Sequence, residues 1–91
     1  MDFEGIWQKI QQHAGEEFYE LGGKRFSYEA GAESLQPSTL DHMIPRSEFE
    51  RALASGLLDN LRQLKREFGT REHSYIFSIL TDPRIRAQEG R

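Results

Sequence analysis

Apolar residues recur at helical spacing at the start of the chain, alternate through the next stretch, and return to helical spacing over most of the second half. Phe3, Ile6, Trp7 and Ile10 stand at i, i+3, i+4 and i+7, with Gln8, Lys9, Gln11 and Gln12 on the opposite side. That spacing predicts an amphipathic helix capped by Asp2 and stopped at Gly15, with Trp7 as a core anchor.

The period then changes to two. Phe18-Tyr19-Glu20-Leu21 and Arg25-Phe26-Ser27-Tyr28-Glu29 flank Gly22-Gly23, which predicts a β-hairpin with a two-residue turn. Folding about that turn pairs Leu21 with Lys24, Glu20 with Arg25 and Tyr19 with Phe26. Tyr19, Leu21, Phe26 and Tyr28 then form the core face. Glu20, Arg25, Ser27 and Glu29 form the wet one. Phe18 falls on the wet face as the exception, either a contact for a partner or a core residue under a loop.

Glu33 to Gln36 reads as a short third strand, ended by Pro37, and Leu40 to Ile44 as a fourth, ended by Pro45; the alternative for this stretch is an ordered loop. Ser47 to Glu50 has the S-x-x-E form of a capping box. Phe49, Ala52, Leu53, Leu57, Leu61, Leu64 and Phe68 follow it on a helical period. Ser55-Gly56 interrupts that pattern, which leaves one long kinked helix or two helices meeting at Gly56, ended at Gly69. Ser74 to Leu80 fits a short helix through Ile76, Ile79 and Leu80, or a strand through Tyr75, Phe77 and Ile79. The helix is preferred, followed by a turn at Thr81-Asp82-Pro83-Arg84 and a frayed tail from Arg86.

These elements predict one α+β domain, a small two-layer sandwich. It has an N-terminal helix, an antiparallel β-hairpin or three-stranded sheet, a long or broken helix, and a short C-terminal helix. The order resembles the α-β-β-β-α layout of double-stranded-RNA-binding domains over residues 3–68. The resemblance is of topology alone. That family places lysines at the start of its final helix, where this chain has Ser47-Glu48-Phe49-Glu50, so no binding residue is carried over.

Composition narrows the picture further. Ninety-one residues make one domain, and ten aromatics supply much of the burial so short a chain needs. The absence of cysteine excludes disulfides, thiol nucleophiles and cysteine-based zinc sites. Acids near the start and the lack of a long apolar run predict a cytoplasmic protein outside the membrane. Residues 1–45 hold three bases against eight acids, and residues 46–91 nine bases against seven acids. This asymmetry fits either a polyanion-binding face or one half packing on the other.

Candidate chemistry is thin. His13, His42 and His73 are far apart in sequence, with no second ligand at helical spacing, so no metal site is expected. Ser47 is accounted for by capping, and Gly22-Gly23-Lys24-Arg25 lacks the spacing of a phosphate-binding loop. Glu16-Glu17 would need a pocket to act as an acid–base pair. No catalytic residue and no cofactor is expected. The leading expectation is a non-catalytic module that binds a protein partner or its own copy, with Phe18 as the contact. The alternative is nucleic-acid binding through Arg62, Lys65, Arg66, Arg71, Arg84 and Arg86, opposed by local neutralisation of Arg62 by Asp59 and of Arg71 by Glu67.

Overall fold

A computed structural model describes residues 3–86. The expected Asp2 cap and the tail beyond Arg86 lie outside that range. Helix α1 (Phe3–Gln12) buries Ile6, Trp7 and Ile10, the stripe its spacing predicts. The first hairpin follows, β1 (Phe18–Tyr19) and β2 (Arg25–Phe26). A second, three-stranded antiparallel sheet then forms in the order β3 (Tyr28–Ala30), β4 (Ser34–Pro37), β5 (Ile44–Pro45). Helices α2 (Arg46–Ala54), α3 (Leu61–Phe68), α4 (Glu72–Thr81) and α5 (Pro83–Arg86) complete the fold. The class is α+β, as expected. The strands make two small sheets, not one, because pairing breaks at Ser27 between β2 and β3. This break also departs from the single sheet that the resemblance to RNA-binding domains implies.

The hairpin register differs from expectation by one residue. Phe18 pairs with Phe26 and Tyr19 with Arg25, and the Glu20 amide donates to the Lys24 carbonyl at 3.0 Å. The loop is therefore three residues, Leu21-Gly22-Gly23, closed by a 2.8 Å bond from the Gly23 amide to the Glu20 carbonyl. Gly23 takes φ +89°, the left-handed residue that a three-residue loop needs and that L side chains rarely adopt. A one-residue slip exchanges the two faces of a strand. Phe18 accordingly turns into the core at 1% exposure, while Tyr19 and Leu21, expected inside, are 57% and 43% exposed.

Helix α2 grows directly out of β5. Pro45 is its N-cap and makes no side-chain cap bond, so the Ser47 capping box does not form. The Arg46 amide donates instead to the Glu33 carbonyl at 2.8 Å, continuing the sheet ladder into the first turn of the helix. The chain then breaks at Gly56, φ +74°, giving two helices joined by a 3₁₀ turn over Leu57–Asp59. Asn60 restarts the helix, its side chain accepting from the Gln63 amide at 3.2 Å. Helix α4 begins at Glu72, ahead of the Ser74 cap expected.

Aromatic rings hold the layers together. Trp7 meets Phe49 at a centroid distance of 5.7 Å, Phe18 meets Tyr28 at 5.1 Å, and Phe26 stands edge-on to Tyr75 at 4.9 Å. Two polar tips are tied off inside this packing. The Tyr28 hydroxyl donates to the Ile10 carbonyl at 2.7 Å, and the Trp7 indole N–H donates to the Gly31 carbonyl at 2.9 Å. The two bonds tie α1 to β3 and to Gly31 just beyond it, and among the described residues no buried aromatic donor lacks a partner.

Candidate functional site

Helix α3 presents the plainest charged surface. Leu64 and Phe68 bind it to the core, which turns Arg62, Lys65 and Arg66 to solvent at i, i+3 and i+4. Neither acid expected to neutralise this stretch does so. Glu67 lies 3.4 Å from Arg51 of α2. Arg51 also reaches Glu48 at 3.4 Å and stacks on the Phe68 ring with its guanidinium carbon 4.3 Å from the centroid. Among the described residues, Asp59 makes no ion pair with Arg62, and none of Arg62, Lys65 and Arg66 is ion-paired. Arg25, Arg46, Arg51 and Arg84 all are.

Arg71, just past α3, donates to the Thr39 carbonyl at 3.4 Å and stays exposed. It shares a cleft of about 220 Å³ with Lys24, between the turn of the first hairpin and the start of α4. In the sequence Lys24 stands only as a solvated base of the hairpin turn. The Gly-Gly-Lys-Arg run was visible, but its proximity to Arg71 is a product of the fold.

Arg84 belongs elsewhere. Its guanidinium carbon lies 3.8 Å from the Phe18 centroid, and its nitrogens reach Asp82 at 2.9 Å, Glu16 at 3.1 Å and the Glu17 carbonyl at 2.9 Å. Bonding to Asp82 raises its pKa above the ordinary arginine value, and the same bond holds the Asp82 carboxyl below the usual carboxylate range. Such a side chain has little left to offer a phosphate. Arg86 is exposed at the end of α5, which packs on α1 and α4. The six expected basic residues thus divide: Arg62, Lys65 and Arg66 share one face of α3, Arg71 lies at the cleft beyond that helix, Arg86 is exposed at the end of α5, and the half-buried Arg84 is committed to Phe18, Asp82, Glu16 and Glu17.

Phe18 requires the clearest correction. Of the two expectations for it on the wet sheet face, partner contact or core residue under a loop, the first is overturned: the three-residue loop places it in the core beneath Arg84. Its side chain is not available to a partner in this fold.

The histidines are dispersed. His13 pairs with Glu16 at 3.0 Å and His73 bonds the Gly69 carbonyl at 3.0 Å. His42 is the richest of the three, held between Glu72 at 2.5 Å and Asp41 at 3.2 Å. Its pKa is raised, first by Glu72 and then by Asp41. Only the Asp41 neighbour is visible in the sequence, because Glu72 arrives from the other side of the fold. Among the described residues no group of three or more His, Cys, Asp or Glu is placed to hold a metal ion, and no helix is long and apolar enough to cross a membrane.

An open groove of about 640 Å³ runs along β3 and β4 from Ser27 past Gln36 to Met43. Its titratable lining groups are Glu29 and Tyr28, and the Tyr28 hydroxyl is already bonded to Ile10, with burial pushing its pKa up. No family model matches the chain, and neither a curated protein nor a solved structure matches it.

Proposed function

We propose that the protein is a non-catalytic binding module that takes the phosphate backbone of a nucleic acid on the outer face of α3. One observation supports this above the alternatives. Arg62, Lys65 and Arg66 stand together, exposed and without ion pairs among the described residues, while the nearest acid on their helix, Glu67, is drawn away to Arg51. Cations arranged in this way release condensed counterions when they meet a polyanion, and that release drives association.

The test is fluorescence anisotropy of labelled single- and double-stranded DNA and RNA across a salt series. Saturable binding whose affinity falls steeply with salt is expected. Arg62→Gln/Lys65→Gln/Arg66→Gln should flatten the slope by about two to three units on logarithmic axes. Binding that is insensitive to salt, or unchanged in the triple variant, would remove α3 as the contact.

A second reading, a protein partner or a second copy of the chain, rests on the first hairpin. Tyr19 and Leu21, displaced from the core by the register, stand exposed on it, which is the kind of apolar surface a protein contact uses. Sedimentation of the wild type and of Tyr19→Ser/Leu21→Ser distinguishes it. Concentration-dependent association lost in that variant and indifferent to salt would favour this reading.

A further inference from the structure

We infer that the cleft between the first hairpin and the start of α4 is a seat for a single phosphate group, with Lys24 and Arg71 as its cations. The inference rests on the nucleic-acid reading for the source of that phosphate, which would be one link of the strand lying along α3. The two cations come from distant parts of the chain and line one hollow of about 220 Å³. Neither makes an ion pair among the described residues. An ammonium on a flexible stem beside a planar guanidinium is a common pairing around phosphate oxygens.

The walls of the cleft are held in place. The Ser74 hydroxyl, on the buried side of α4, accepts from the Leu21 amide at 2.9 Å and pins the hairpin turn to the helix. Arg71 is steadied by the Thr39 carbonyl at 3.4 Å. The Thr39 and Tyr75 hydroxyls share one hydrogen bond at 2.5 Å. Two hydroxyls joined by a single bond use one proton between them, so the second O–H remains free to donate to an anion.

The acids nearby are engaged. Glu20 lines the cleft, but its carboxylate accepts from the Gly22 amide of its own turn. Glu72, next to Arg71, is hydrogen-bonded to His42. Neither makes an ion pair with Lys24 or Arg71, though the Arg71 charge does act on the carboxylates of Glu72 and Asp41. Arg71 lies three residues beyond the end of α3, the helix that carries Arg62, Lys65 and Arg66.

The test follows backbone amides of the whole chain by NMR in two arms. One adds a short single-stranded oligonucleotide. The other adds inorganic phosphate against chloride at matched ionic strength. Saturable shifts at Lys24, Thr70 and Arg71 are expected in both arms, and should vanish in Lys24→Gln/Arg71→Gln. Lys24→Gln alone should flatten the salt slope of oligonucleotide binding by about one unit. Cleft amides that stay still in both arms overturn the inference. So does a double variant that binds phosphate and oligonucleotide like the wild type. Oligonucleotide shifts confined to α3, and lost with its three cations, overturn the cleft while keeping the parent reading. Phosphate shifts in the cleft without oligonucleotide binding keep the seat, for a free anion, and overturn the parent reading.

Discussion

The guanidinium carbon of Arg84 lies over the ring of Phe18, 3.8 Å from its centroid. From the sequence, these two residues are the candidate contacts of rival functions, one for a protein and one for a nucleic acid. In the fold each is the other's partner. The same guanidinium donates to the Glu17 carbonyl just before β1, while the Ser74 hydroxyl accepts from the Leu21 amide in the loop just after it. Two side chains from the C-terminal helices thus occupy backbone groups that would otherwise be open to pairing with another strand.

Arg84 should therefore matter to stability and not to nucleic-acid binding. Arg84→Ala removes the stacking on Phe18 and the bonds to Asp82, Glu16 and Glu17. With about a third of the side chain exposed, solvent screening discounts the loss to about 1–2 kcal/mol. Urea unfolding should show that drop, and anisotropy at a temperature where the variant stays folded should show unchanged affinity. Arg84→Lys should recover only part of the stability, because an ammonium cannot make the same set of bonds from above the ring.

Adjacent residues on β1 should respond in opposite ways to truncation. Phe18→Ala opens a cavity among Phe26, Tyr28 and Arg84 and should cost about 3–5 kcal/mol, a large share of a small domain's stability. Tyr19→Ala, on the exposed face with its hydroxyl bonded to Glu17, should stay within about 1 kcal/mol. Chemical denaturation of the two variants measures both. Equal costs would contradict the register.

Gly23→Ala tests the turn itself. The left-handed φ of +89° should cost an alanine about 1–2 kcal/mol, with no neighbouring atom to clash with the added methyl. Gly22→Ala meets only the flexible end of the Glu20 side chain and should cost less. Had a two-residue type I′ turn formed, both glycines would need positive φ and the two substitutions would be alike.

The link between His42 and Glu72 makes stability depend on pH with a definite sign. The raised pKa of His42 means that its contribution is complete below about pH 6.5, the ordinary histidine value, and is lost as pH rises through the higher folded-state value. For Glu72, burial works against the charged form, but its backbone bond and His42 leave the pKa lowered. Its contribution is present above the ordinary carboxylate range and fades as pH falls through the folded-state value. Asp41, held low first by its bond to His42, behaves in the same way. Unfolding midpoints should be highest between those limits and decline toward alkaline pH, and His42→Gln should abolish the alkaline decline.

The helices were legible because their information is local. The stripe of Ile6, Trp7 and Ile10, the break at Gly56 and the stop at Gly69 follow from a 3.6-residue period and from glycine's access to positive φ. The basic stripe of α3 was legible for the same reason. Its lack of neutralising partners was not, since that depends on Arg51 of another helix capturing Glu67.

What the sequence determined by itself was the α+β class, the amphipathic faces of the helices and the existence of a hairpin about Gly22-Gly23. Only the tertiary structure decided the face that each hairpin residue occupies. Strand alternation is compatible with either register, and a loop of two or three residues changes the choice by one position. Burial breaks the tie. The register adopted stacks Phe18 against Phe26 and Tyr28 under Arg84, whereas the other would bury Tyr19 and Leu21 and leave Phe18 in water. The residues that settle that balance, Arg84 and Ser74, lie at the far end of the chain, where no local pattern around the hairpin could reveal them.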